Sequence, residues 1–437
     1  MKTRRLLTVV ILACSIAFLS GSDQVPAPKQ ERPIVLTGGT IHPVSGPSIP
    51  KGQILFTDGR IVEVGARVSI PENADVIDVS GKHIYPGFIA AQSIIGLVEV
   101  GAVRATLDQE EAGSINPNVH AERAYNPDSE HMPVARANGV VLAQVVPQGG
   151  LLSGTSAVMM LDGWTWEDAL LRSEVGIWVN WPDMVVEEFP WITKSRKEQE
   201  KEIQEKLKQL DKAFDEAEAY HLSQRTGSAE LKTDLRWESL KPVLEGKVPL
   251  FIQADHVSQI TAAVNWAARR GYRMVLVGGR DSWMVTEVLK ENQIPVVAGD
   301  VHSLPERRWA GYDARFSLPE KLRSAGVEFC LSPSNWYSNI RNLPFEAGTA
   351  VAFGLPREEA VKAITLYPAR ILGIDHRVGS LDPGKDATLL VTEGDPLDIR
   401  SQVEQVYIQG RKVDLGNRHK SLYQKYSERH RQLGISP

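Results

Sequence analysis

Between Phe88 and Leu331 the chain carries eight near-continuous apolar runs: Phe88 to Ile95, Val140 to Val146, Ala157 to Leu161, Gly176 to Asn180, Leu250 to Gln253, Met274 to Val277, Pro295 to Ala298 and Val327 to Leu331. Runs without apolar–polar alternation suit strands covered on both faces, and parallel sheets flanked by crossover helices supply that cover. Helical patterns separate most of the runs, so the spacing predicts an α/β chain whose strands close into a (β/α)8 TIM-type barrel over residues 86–375. The run Ala157 to Leu161 fits least well, because no convincing helix separates it from the run before. An open doubly wound sheet would place a G-x-G-x-x-G turn after an early strand, and none stands there.

The two ends read differently. Residues 34–85 are short alternating strands with Asp58-Gly59 as a hairpin turn, and residues 376–415 repeat the style with Gln409-Gly410 as theirs. A small β-sandwich domain built from both ends is predicted, preceded by a linker over 23–33 and followed by a polar helical tail over 416–437. Within the barrel, residues 193–222 are highly charged, and Ile203, Leu207, Leu210, Phe214 and Ala217 step along one helical seam. That pattern reads as an outer barrel helix with a solvated face, a lid or partner surface being the functional alternative.

Lys2, Arg4 and Arg5 precede the apolar run Leu6 to Leu19, and Ser20-Gly21-Ser22 supplies small residues for cleavage. This is the pattern of a signal peptide over 1–22, with export to the periplasm or medium; acylation at Cys14 is the lipoprotein alternative. Without the leader the chain keeps 46 basic and 54 acidic residues and one cysteine, Cys330, so no internal disulfide can form. That balance gives no basic field for nucleic acid, and no membrane partner is expected once the leader is removed. With 42% hydrophobic and 24% charged residues, disordered and multi-span membrane classes are excluded.

Three segments carry a resemblance: GKHIYPGFIAAQ (Gly81 to Gln92), the stretch Arg341 to Ile374 containing LPFEAGTAVAFGLPREEAVKAITLYPARILGI, and RVGSLDPGKDATLLVTEGDPL (Arg377 to Leu397). They resemble the amidohydrolase superfamily in its imidazolonepropionase-like and dihydroorotase-like branches. The resemblance implies a β domain split around a barrel whose mouth holds one or two divalent metals, zinc as the norm, activating water to hydrolyse carbon–nitrogen bonds, often in cyclic amides. It also implies His at ligand positions that here align with Gln92, Ile94, Gln253 and Gly278, and an Asp after the last strand where Ser332, Pro333 and Ser334 stand. Ile and Gly offer no electron pair and amide oxygens are weak zinc ligands, so no metal or other cofactor is predicted.

Other polar residues gather at the predicted carboxyl ends of the strands, where barrels of this kind keep their chemistry. Asp255, His256, Asp300 and His302 are the candidate catalytic residues, as a base with an orienting carboxylate. The bland alternative is that they cap helices or pair with Arg307 and Arg308. Arg280 and the long polar loop after the first strand, with Arg104, Asp108 and His120, supply candidate substrate-binding residues. Two functions follow from the resemblance: a hydrolase of non-peptide carbon–nitrogen bonds working through a non-standard site, or a non-catalytic relative that binds a small molecule. The second would act alone, as a homo-oligomer, or as partner subunit of an active amidohydrolase.

Overall fold

A computed structural model describes residues 24–186, 188, 191–226, 232–333 and 337–435. The leader, Cys14 and Ser334 lie outside the described residues.

All eight apolar runs are strands of one sheet: β6 (Phe88–Ser93), β7 (Val140–Val145), β8 (Leu152–Met160), β9 (Leu170–Asn180), β10 (Leu250–Ala254), β11 (Met274–Gly278), β12 (Val296–Gly299) and β13 (Phe329–Ser332). They pair in chain order, and the sheet is a nearly closed barrel. Its two edges meet where Ser332 Oγ donates to the Gln92 carbonyl at 3.2 Å. Both edges also bond a shared segment, Ile89 N to Ile364 O and Leu331 N to Ala363 O, each at 2.9 Å.

The barrel departs from the predicted all-parallel (β/α)8 order at one strand. β6–β7 and the successive pairs from β9 to β13 are parallel, but β8 runs antiparallel to both β7 and β9. The cause is connection length. Only residues 146–151 join β7 to β8 and 161–169 join β8 to β9, whereas a parallel crossover needs about a dozen residues or more. The reversal brings the start of β8 to the barrel mouth beside the end of β9, where the Asn180 amide donates to Gly150 O at 2.9 Å and to Ser153 Oγ at 3.0 Å.

The helices are α1 (His131–Arg136), α2 (Trp166–Ala169), α3 (Arg196–Arg225), α4 (Leu235–Leu244), α5 (Val257–Arg270), α6 (Thr286–Glu291), α7 (Leu318–Ala325), α8 (Leu343–Ala352), α9 (Arg357–Lys362), α10 (Leu366–Ile371) and α11 (Arg418–Gln432). The charged segment forms α3, started by a Ser195–Glu198 capping box. Its buried residues Leu210, Ala213, Phe214, Ala217 and Tyr220 follow the predicted seam, and Phe214 meets the Trp266 ring of α5 edge-on at 4.9 Å. Around that apolar contact, Asp211 accepts from Trp266 Nε1 at 2.7 Å and from Arg270 at 3.0 Å. The terminal α11 buries no residue.

The chain ends form a second sheet from β1 (Ile34–Ile41), β2 (Ile49–Thr57), β3 (Arg60–Gly65), β4 (Asp75–Asp78), β5 (His83–Pro86), β14 (Leu389–Thr392), β15 (Val403–Ile408) and β16 (Arg411–Val413). The order is β16-β15-β14-β5-β1-β2-β3. Rather than two separate layers, hydrogen bonding makes one sheet that forks at β1: β4 pairs with Ile34 to Thr37, and β5 with Thr40 and Ile41. It holds its own core, including Leu36, Phe56, Ile84, Leu389 and Tyr407. Both Asp-Gly and Gln-Gly turns have positive φ at their two central residues, as a two-residue hairpin requires. A Cβ on Gly59 would stand 2.9 Å from Gln409 O, so only glycine lets the two turns touch.

Candidate functional site

On the barrel axis two amides face one another. Gln92 of β6, 5% exposed, directs Nε2 at Oε1 of Gln253 on β10 at 3.4 Å. Ile94 is buried just beyond the end of β6. Gly278 closes β11 with φ 84°, and a Cβ there would lie 2.8 Å from Asp255 Oδ1. The Asp255 carboxylate therefore fills the space a side chain at 278 would need, and it accepts the Arg280 backbone N–H at 3.2 Å.

This arrangement does not fit zinc. The axial amides bond each other, Ser332 Oγ donates to a backbone carbonyl, and Ile94 and Gly278 bring no donor; zinc takes thiolate, imidazole and carboxylate ligands in tetrahedral sets. Among the described residues, no group of three or more His, Cys, Asp or Glu is placed to hold a metal ion.

The candidate catalytic residues fall into two sets with different neighbours. At the start of α5, the backbone N–H groups of Asp255 and His256 both donate to Gln259 Oε1 at 3.1 Å. Arg307 donates to His256 Nδ1 and grips Asp281 with both guanidinium arms, at 3.0 and 2.7 Å. Asp281 is 3% exposed and also accepts the Val257 N–H at 3.0 Å, which satisfies one orphan donor of α5. After β12, His302 Nε2 lies 2.8 Å from Thr349 Oγ1 on α8, and burial lowers the pKa of that imidazole. Among the described residues no hydrogen bond links Asp255 or His256 to Asp300 or His302.

One group near Asp300 escaped the sequence reading. Glu346 on α8 is 2% exposed, and its Oε2 accepts the Val301 N–H at 2.9 Å. Burial pushes its carboxyl pKa up to about 8; the Val301 hydrogen bond opposes that shift, the Asp300 carboxylate adds to it, and Arg315 opposes it. The sequence did carry a signal, since Glu346 is the one charged residue in the otherwise apolar or small LPFEAGTAVA of α8.

The candidate substrate-binding residues also separate. Arg104 is exposed, its guanidinium donating to Leu107 O at 3.4 Å; Asp108 is exposed, its backbone tied to Leu97 O. His120 pairs with buried Glu122 at 3.3 Å, and that hydrogen bond raises the imidazole pKa. Their loop docks along the reversed strand through Ile115–Leu152 and His120–Thr155 bridges. Arg280 lines a cavity at the mouth, paired with Glu306.

With this geometry in hand, the similarities to known proteins are consistent. A sequence model of the amidohydrolase family matches residues 347–414. Amidohydrolase tasK of Hapsidospora irregularis is 21% identical over 393 residues, 82% of this chain; the chain spans only 39% of that protein's length. A segment of 57 residues, 13% of this chain and 31% of its relative, is 42% identical to the putative N-acetylgalactosamine-6-phosphate deacetylase of Escherichia coli K12. Among solved structures, an amidohydrolase from Thermotoga maritima MSB8 superposes with a TM-score of 0.75 at 28% identity, over 87% of this chain and 99% of that one. The chain belongs to the amidohydrolase superfamily.

Proposed function

We propose that this superfamily member binds a small molecule at its barrel mouth and does not hydrolyse it through metal-activated water. The observation that carries the reading is the axial Gln92–Gln253 amide contact, with Asp255 occupying the space in front of Gly278. In this reading Gln92, Ile94, Gln253 and Gly278 stand at the superfamily's ligand positions, and their loss removes the Lewis acid that would lower the pKa of water. Export belongs to the same proposal and rests on the leader pattern of residues 1–22. No helix among the described residues is long and apolar enough to cross a membrane.

A second reading, a metal-independent hydrolase of carbon–nitrogen bonds, is favoured by one observation. Glu346 carries a raised pKa beside the Asp300 carboxylate, and a buried carboxyl that keeps its proton near neutral pH can serve as a general acid. The purified protein, assayed against hydantoins, cyclic imides and dipeptides with chelator, zinc or manganese, decides between them. The binding reading expects no turnover in any condition and less than stoichiometric metal by elemental analysis. Zinc-stimulated turnover overturns it, and turnover that survives chelation but is lost in Glu346→Gln establishes the second reading instead.

A further inference from the structure

A cavity of about 330 Å³ opens at the mouth between the turn after β11 and the loop that joins β12 to α7. Its size lies at the lower end of small-molecule sites, room for a ring and a substituent. Four cations, Arg280, Arg307, Arg315 and Lys321, and three carboxylates, Asp281, Glu306 and Asp313, line it together with Trp283 and Trp309, an excess of one positive charge. Two of these cations are already neutralised, Arg280 by Glu306 and Arg307 by Asp281.

The other two are not. Arg315 is 8% exposed, its Nε donates to Ser303 Oγ at 2.9 Å, and its Nη1 is buried with no hydrogen-bond partner. Neither Arg315 nor Lys321 forms an ion pair among the described residues. Arg280 sits among charges of both signs: burial lowers its pKa first, Asp255 and Asp281 oppose that lowering, and Arg315 and Arg307 add to it. Lys321 Nζ stands 4.8 Å from the centre of the Trp283 ring, and the Arg307 guanidinium 5.2 Å from that of Trp309. Trp309 nevertheless remains 64% exposed and the neighbouring Leu304 83%, an unusual outlay of apolar surface beside a cationic pocket.

We propose that this cavity binds a small organic carboxylate, its carboxylate group set against Arg315 and Lys321 and its planar or apolar body against Trp283 and Trp309. Guanidinium and carboxylate match as planar forks, and the indoles supply the surface that a bare inorganic anion would not use. The inference rests on the binding reading above, for which it names the ligand class.

Calorimetric titration of the purified protein with benzoate, indole-3-acetate, benzamide and inorganic phosphate tests it. The two carboxylates bind, and benzamide, the neutral isostere of benzoate, binds at least about tenfold more weakly. Arg315→Gln weakens both carboxylates by a similar factor. Because Arg315 is buried, exposed Lys321→Gln and Trp309→Ala serve as second variants: each weakens indole-3-acetate about threefold or more with an unchanged melting temperature. Carboxylates that bind no better than benzamide overturn the proposal, as does indole-3-acetate binding unaffected in all three variants. Phosphate binding as tightly as the carboxylates, with Trp309→Ala silent, also overturns it and leaves a plain anion contact. Turnover of an amide by the wild type would remove the binding reading but not the carboxylate site, whereas absent turnover with absent carboxylate binding removes this inference alone.

Discussion

Replacing Glu346 by Gln should make the protein more stable at alkaline pH and leave it nearly unchanged at acid pH. The carboxyl is 2% exposed and holds its proton until about pH 8 in the folded chain, against an ordinary value of 4.5. Below 4.5 both folded and unfolded chains keep the proton and the site costs nothing. Between 4.5 and 8 the unfolded chain releases it while the folded chain does not, so stability falls as pH rises, by at most about 1.4 kcal/mol per pH unit. Above 8 the loss is complete and constant. Its ceiling is on the order of 5 kcal/mol, and relaxation and water entry in real interiors bring the expected value to about 2–4 kcal/mol. His42 works in the opposite sense. Burial first, and the neighbouring His83 second, lower its pKa from 6.5 to about 4, so stability rises with pH between those values. The two slopes oppose one another up to pH 6.5; above it His120, whose pKa is raised, adds a falling slope common to wild type and variant, so the difference between their curves reports Glu346. A Gln side chain retains an acceptor for the Val301 N–H, 2.9 Å away in the native pair. Urea denaturation of wild type and Glu346→Gln, followed by tryptophan fluorescence at constant ionic strength from pH 5 to 9, should show curves within about 1 kcal/mol at pH 5 that separate through pH 8. A difference independent of pH, or a variant weaker than wild type at pH 8.5, would refute the assignment of a buried, protonated carboxyl to this site.

Gly278→Ala should lower stability by about 2 kcal/mol, since it forces a Cβ onto a left-handed backbone and to within 2.8 Å of Asp255 Oδ1; an unchanged urea midpoint would show that Asp255 does not fill that space. Phe214→Ala removes a fully buried ring from the contact with Trp266 and should cost about 3–5 kcal/mol, read as new protease cleavage within Arg196–Arg225 while the barrel stays intact.

The strands were legible because their apolar runs are a local property: each of the eight can be read without knowing its neighbour. Their direction is not local, yet it too was written in the chain. Six residues between Val145 and Leu152, and nine between Met160 and Leu170, cannot carry a crossover helix, so the missing helix noted before Ala157 was the trace of a hairpin. The forked sheet of the chain ends was less accessible, since the sharing of β1 by β4 and β5 depends on register that alternation alone leaves open.

The mouth was legible in its composition and not in its connections. The sequence placed Asp255, His256, Asp300 and His302 at strand ends, where they stand, but which groups they touch is settled by loops of unlike length packing across one another. Arg307 comes 51 residues after His256 to bond it, and Glu346 comes 45 residues after Val301. The most informative position was a glycine. Read along the chain, Gly278 was an absence where a ligand would be expected; in three dimensions it is a space taken by Asp255, so the carboxylate and the missing side chain are one feature. A His at 278 would therefore require Asp255 to move away from the Arg280 N–H as well. Placing a metal centre at this mouth would need coordinated change at both positions, which is why substitutions at Gln92, Ile94, Gln253 and Gly278 alone are not expected to create one.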